Sequence, residues 1–215
     1  MKRLSKIFYV FLILTFLITN TSFAQHKIKK DKVAILLAAF GTSYPEALKA
    51  IINIENNVKK AFPNIPVKLT FTSNIIREIW HKRQNDPKYI NVPKEILYIK
   101  SPLSAISELQ EEGYKTIIVQ PLHLYSGEEY MDLKSYIEAL NSIKTIKKRW
   151  KPFKKIVLGR PAFGTYKEEH DYHKDLEMAA YALEDDINLA RSKKAALVYM
   201  GHGNEFFSTG VYAEF

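Results

Sequence analysis

The chain has 215 residues, a formal net charge of +9, 47% hydrophobic and 26% charged residues, and no cysteine. This composition excludes a disordered or collagen-like chain and fits one domain or two small ones. Without cysteine there are no disulfides, thiolate nucleophiles, iron–sulfur clusters or thiolate zinc sites, which leaves His, Asp and Glu to hold any metal. Lys and Arg outnumber Asp and Glu by 32 to 23, but the excess reads as spread along the chain without a basic block interleaved with aromatics, and nucleic acid is not expected as a partner.

The N-terminus reads as a targeting segment. Lys2, Arg3 and Lys6 precede an apolar run from Ile7 to Ile18, and Ser22-Phe23-Ala24 places small residues before Gln25. That is the tripartite pattern of a secretory signal. The expectation is a signal peptide over 1–24 and an exported, periplasmic chain of residues 25–215 with 29 basic and 23 acidic residues, net +6. The apolar run is short for the roughly 20 residues of a spanning helix, so no stable membrane anchor is expected.

Downstream, short β-rich runs alternate with longer helical ones, the pattern of a parallel α/β sheet flanked by helices. Val33 to Ala39 is a continuous apolar run suited to a strand covered on both faces. A helix from Pro45 to Phe62 follows, with Ser43 as expected cap. Val67 to Thr72 is the second strand. Asn74 to Arg83 and Pro102 to Glu112 read as helices, separated by Asp86 to Lys100 as a loop with little regular structure. Thr116 to Leu122 is the third strand, and Met131 to Ile146 the helix after its polar loop. Lys155 to Gly159 is the fourth strand, Glu168 to Arg191 a long helix, and Ala195 to Met200 a fifth strand leading into Gly201-His202-Gly203. The polar and glycine-bearing junctions fall where strands hand over to loops, the edge at which open parallel sheets bind ligands.

Lys32 to Thr42 aligns without a gap over Lys194 to Asn204, placing His202 over Phe40 and Gly203 over Gly41. A chance match of apolar strands is one reading. The other is a duplicated α/β unit, with a first lobe over 25–193 and a second, begun at 194–215 and incomplete. Val211 to Phe215 then reads as the first turn of a helix without an end signal.

His202, flanked by glycines after an apolar strand, projects from a loop whose backbone can approach a ligand. A packed core histidine is the competing reading. Neutral imidazole is both a general base near neutral pH and a ligand for Co, Fe, Ni or Zn. Glu128 and Glu129 lie near the same edge and can bind a metal or accept a proton, or else simply begin a helix whose dipole favours negative charge. His123 ends the third strand and is ambiguous. His170 and His173 have the i, i+3 spacing of a shared helix face, and His81 reads as surface. Arg77 and Arg160 at strand ends are candidates for steering an anionic substrate, with solvated surface charge as the alternative. No Walker loop, dinucleotide fingerprint, nucleophile elbow or His-Glu-x-x-His segment is present, so nucleotide-driven chemistry has no support.

Ala38-Ala-Phe-Gly-Thr-Ser43, Phe71-Thr-Ser-Asn-Ile-Ile-Arg77, Gln120-Pro-Leu-His-Leu124 with Gly127-Glu-Glu-Tyr130, and above all Met200-Gly-His-Gly203 resemble the anaerobic-type sirohydrochlorin cobaltochelatases, a branch of the class II tetrapyrrole chelatases. The match runs in order from about Val33 to the last residue. The resemblance implies two similar α/β lobes facing across a cleft, and insertion of Co²⁺, or Fe²⁺ in some members, into sirohydrochlorin on the anaerobic route to cobalamin. It implies that His202 is proton acceptor and metal ligand, and that Glu129 faces the cleft, with Glu128 where the family has Asp. The family's further ligands, another Glu and a second His, have no counterpart before Phe215, so the expectation is a site that this 215-residue form leaves incomplete and a product that is inactive as it stands. The reading from a different class is an exported, non-catalytic carrier of haem, another tetrapyrrole or a metal ion. Metal, macrocycle and homo-oligomeric state stay open at this level.

Overall fold

The structure is a computed structural model that describes residues 32–163 and 173–201. The expected signal segment, His170, His202 and the expected helical turn at Val211 to Phe215 lie outside the described residues.

Four parallel strands form one sheet in the order β2-β1-β3-β4, with β1 Val33–Ala39, β2 Val67–Phe71, β3 Thr116–Pro121 and β4 Lys155–Leu158. The helices are α1 Leu48–Ala61, α2 Asn74–Lys82, α3 Lys94–Leu97, α4 Pro102–Glu111, α5 Glu128–Ser142, α6 His173–Ala182 and α7 Glu184–Ser192. The α/β architecture read from the sequence is what the chain adopts. Central β1 shows why its run is uninterruptedly apolar: Ala34, Leu36 and Ala38 pack in a core with Ile106 of α4 and Leu133 of α5, while Ile35 and Leu37 face Val67 and, from α1, Val58. With both faces covered, alternation has no solvent side to mark.

Several boundaries differ from the sequence expectation. Helix α1 starts at Leu48, because Tyr44 to Ala47 closes as tight turns, with Ala47 N–H donating to Tyr44 O at 3.1 Å and Leu48 N–H to Pro45 O at 3.3 Å. Ser43 is therefore not its cap; no side chain caps it. The stretch from Asp86 to Lys100 is ordered by a 3₁₀ turn at Pro87–Tyr89 and by α3, which bury Ile96, Leu97 and Ile99 under α2. The long C-terminal helix is two helices broken at Leu183. The expected fifth strand is absent among the described residues: Ala195 to Gly201 is exposed and outside the sheet. Its apolar pattern is strand-like, but no neighbouring strand among the described residues supplies the backbone partners a strand requires.

Edge strand β4 is held by a side chain. The Asn141 carboxamide of α5 donates to Ile156 O at 2.8 Å and accepts from Ile156 N–H at 2.9 Å, pairing two backbone groups that an open edge would expose.

Candidate functional site

Because β2 lies to one side of β1 and β3 to the other, the crevice outside the carboxyl ends of β1 and β3 is the topological switch point of the sheet. The loop leaving β1 is tightly fixed. Trp80 of α2, wholly buried, donates through Nε1 to Thr42 O at 2.7 Å, and Arg83 donates to Ser43 O at 2.5 Å while its guanidinium stacks between the Trp80 and Tyr89 rings. Gly41 has φ +101° and lies against the Phe71 ring, where a Cβ would come within 2.6 Å. A side chain is excluded there both by conformation and by space.

A cleft of about 390 Å³ opens on this edge. Its walls are Thr72, Ser73, Asn74 and Arg77 after β2, the start of α4 at Ser101 to Leu103, and the first three turns of α5, from which Glu128, Glu129, Asp132 and Tyr136 face it. Helix α5 begins at Glu128, three residues before the expected start, so Glu128 and Glu129 stand in its first turn with Gly127 ahead of them. The carboxylates thus complement the helix dipole and also line the cleft. Asp132 and Tyr136 were not among the sequence candidates. Their spacing from Glu128, i+4 and i+8 on one helix, is the signal that identifies them.

Arg77 is the cation of this cleft, but its guanidinium is committed to the protein. It donates to Phe71 O at 2.5 Å, to Thr72 O at 2.8 Å and to Asn74 Oδ1, tying down the end of β2, and burial lowers its pKa. Arg160 is paired with Asp175 at 2.9 Å. Both arginines thus carry structural bonds within the protein, Arg77 at the end of β2 and Arg160 with Asp175.

His123 sits at the end of β3 with its main chain pinned by Ala162 N–H donating to its carbonyl at 2.8 Å. Its Nε2 is 3.0 Å from the hydroxyl of Thr72, a cleft residue. Its Nδ1 is buried without a hydrogen-bond partner. Burial lowers its pKa from 6.5 to about 4, so the ring is neutral at physiological pH. His81 is exposed and donates from Nε2 to Ile99 O at 2.8 Å, and His173 opens α6 at the surface. No cluster of three or more His, Cys, Asp or Glu with metal-holding geometry occurs among the described residues. The edge thus carries an acidic wall on α5 and, beside Thr72, a neutral imidazole.

Comparison with known proteins gives the family of the chain. The family model for cobalt chelatase (CbiK) matches residues 33–215. A sirohydrochlorin cobaltochelatase, CbiKC, of Nitratidesulfovibrio vulgaris is 29% identical over 181 residues, covering 83% of this chain and 54% of that protein. The sirohydrochlorin cobaltochelatase of Salmonella typhimurium is 28% identical over 184 residues, covering 85% of this chain and 59% of that protein. The chain spans little more than half the length of the curated relatives it matches.

Proposed function

The chain belongs to the cobalt chelatase (CbiK) family, and on that premise we propose that it inserts Co²⁺ into sirohydrochlorin, the activity for which both relatives are named. Fe²⁺ is a second substrate metal in this proposal. As a divalent ion enters a free-base tetrapyrrole, two pyrrole N–H protons must leave, so the site needs a base beside the macrocycle and a path for the cation. His202, in Met200-Gly201-His202-Gly203, is assigned as proton acceptor and metal ligand. It lies within the residues matched by the family.

Glu129, Glu128 and Asp132 form the cation path in this reading, and their shared position on the cleft wall is the observation that carries it. Three carboxylates along one wall draw a divalent ion inward by field rather than by tight ligation, which leaves coordination positions free for the macrocycle nitrogens. The same wall repels a polyanionic macrocycle, and Arg77 is already committed. In this reading the carboxylates of sirohydrochlorin lie away from the acidic wall. The protein acts after export, its chain beginning at Gln25.

The test is anaerobic mixing of the purified protein with sirohydrochlorin and Co²⁺ or Fe²⁺, following loss of the free-base absorbance. Metallation that depends on His202 and is lost in His202→Ala is the expected result. If protein with His202 intact metallates no tetrapyrrole, the proposal fails. Mass spectrometry of the secreted chain checks the Gln25 start.

A further inference from the structure

The edge of the sheet opposite the cleft carries a basic surface of its own. Positive charge is not evenly spread, as composition alone suggests. The connection from α5 to β4 holds Lys144, Lys147, Lys148, Arg149 and Lys151, and the sequence has no acidic residue between Glu138 and Glu168. None of the five is in an ion pair among the described residues. Between them stand two apolar side chains with no cover: Ile146 is 104% exposed and Trp150 67%. The Arg149 guanidinium lies 5.2 Å from the Trp150 ring centroid.

The loop presents these groups from a fixed frame. Thr145 Oγ1 donates to Lys147 O at 2.9 Å, Trp150 N–H to Lys147 O at 2.9 Å, and Lys151 N–H to Lys148 O at 3.1 Å. Phe153 and Ile143 anchor its two ends in the core under β4. Lys115 and Lys32, which lead into β3 and β1, lie at the same edge beside Glu111 and Glu112, so that the net positive charge of the edge is carried by the connection from α5 to β4.

We propose that this edge docks on an anionic lipid bilayer, with Ile146 and Trp150 entering the headgroup region and the surrounding cations pairing with lipid phosphates. A bilayer fits better than a nucleic acid. A fully exposed isoleucine gains nothing against a phosphodiester backbone but is stabilised on entering lipid, and indole prefers the membrane interface. Docked this way, the carboxyl-edge cleft faces away from the membrane and stays open to substrate.

The chain contains two tryptophans, and Trp80 is 0% exposed, so emission changes on binding report Trp150. The chain from Gln25 is titrated with phosphatidylcholine vesicles containing phosphatidylglycerol, with phosphatidylcholine alone, and with a single-stranded oligonucleotide. The expected result is a blue shift and quenching by brominated lipid on the anionic vesicles only, reversed by salt. Each cation near such a surface contributes about fivefold to partitioning, so K147Q/K148Q/R149Q binds on the order of a hundredfold more weakly while its circular dichroism is unchanged. I146S weakens binding without altering the salt dependence. An equal response on neutral vesicles, a stronger response to the oligonucleotide, no response at all, or wild-type binding by the triple variant each overturns the proposal.

Discussion

Acid should destabilise this protein through one imidazole in particular. His123 has its pKa lowered from 6.5 to about 4 by burial, whereas in the unfolded chain it titrates near 6.5. Because the folded value lies below the unfolded one, His123 costs nothing above about pH 6.5. Between about 6.5 and 4 the unfolded chain takes up a proton that the folded chain refuses, and stability is lost. Below about pH 4 both states carry the proton and the loss levels off. From these two values the penalty is about 2 kcal/mol at pH 5 and about 3 kcal/mol at pH 4, a large part of the margin of a small domain.

The measurement is urea unfolding of wild type and His123→Gln at about pH 8 and about pH 5. Glutamine keeps a polar group facing the Thr72 hydroxyl, which lies 3.0 Å from the imidazole, but never ionises. All other titrating groups are common to both proteins, so the difference between their acid losses isolates His123. Wild type should lose about 2 kcal/mol more than the variant on going to pH 5. Equal losses, or an imidazole resonance titrating near 6.5 in the folded protein, would refute the reasoning.

Gly41→Ala should cost about 2–4 kcal/mol, read from the urea midpoint, because it adds a left-handed backbone penalty to a contact of 2.6 Å with Phe71. Asn141→Leu should cost about 1–3 kcal/mol and accelerate amide exchange at Ile156, since both backbone groups of that edge residue lose their partner. Glu129→Gln combined with Asp132→Asn should raise the Co²⁺ concentration for half-maximal metallation roughly tenfold and leave the unfolding midpoint nearly unchanged. An unaltered metal dependence would mean that the cleft acids are not the cation path.

The strands could be read from the sequence wherever burial on two faces leaves an uninterrupted apolar run, as in β1, or where turn chemistry brackets a short one, as in β4. What misled was pattern without partner. Ala195 to Met200 has the composition of a strand, yet extended backbone becomes a strand only when a neighbour accepts its hydrogen bonds, and composition carries no information about that neighbour. The connection from Asp86 to Lys100 failed in the opposite direction. Its prolines and charges concealed Ile96, Leu97 and Ile99, whose burial comes from contacts with α2 that no local window contains. Helix α1 began late for a third reason: a proline is compatible with both a first helical turn and a tight turn, and only the bonds from Ala47 and Leu48 decide which.

The place of Glu129 on the ligand-binding edge was legible because Gly127 and the two acids follow a strand of a parallel sheet. Its neighbours Asp132 and Tyr136 were lost through a small error with a geometric consequence. Starting α5 at Met131 treats Glu128 and Glu129 as loop residues, so no helical spacing connects them to anything downstream. Starting it at Glu128 puts them on one face with Asp132 and Tyr136. The arginines show the converse. A cation at a strand end looks available for an anionic substrate, but the carbonyls of Phe71, which ends β2, and of Thr72, which follows it, both accept from Arg77. His123 lies between these cases. Its residue type suits a ligand, a base or a core position equally, and what separates them is the desolvation of one ring against Thr72 from the adjacent loop. That quantity exists only once β1 has drawn β2 and β3 to its two sides.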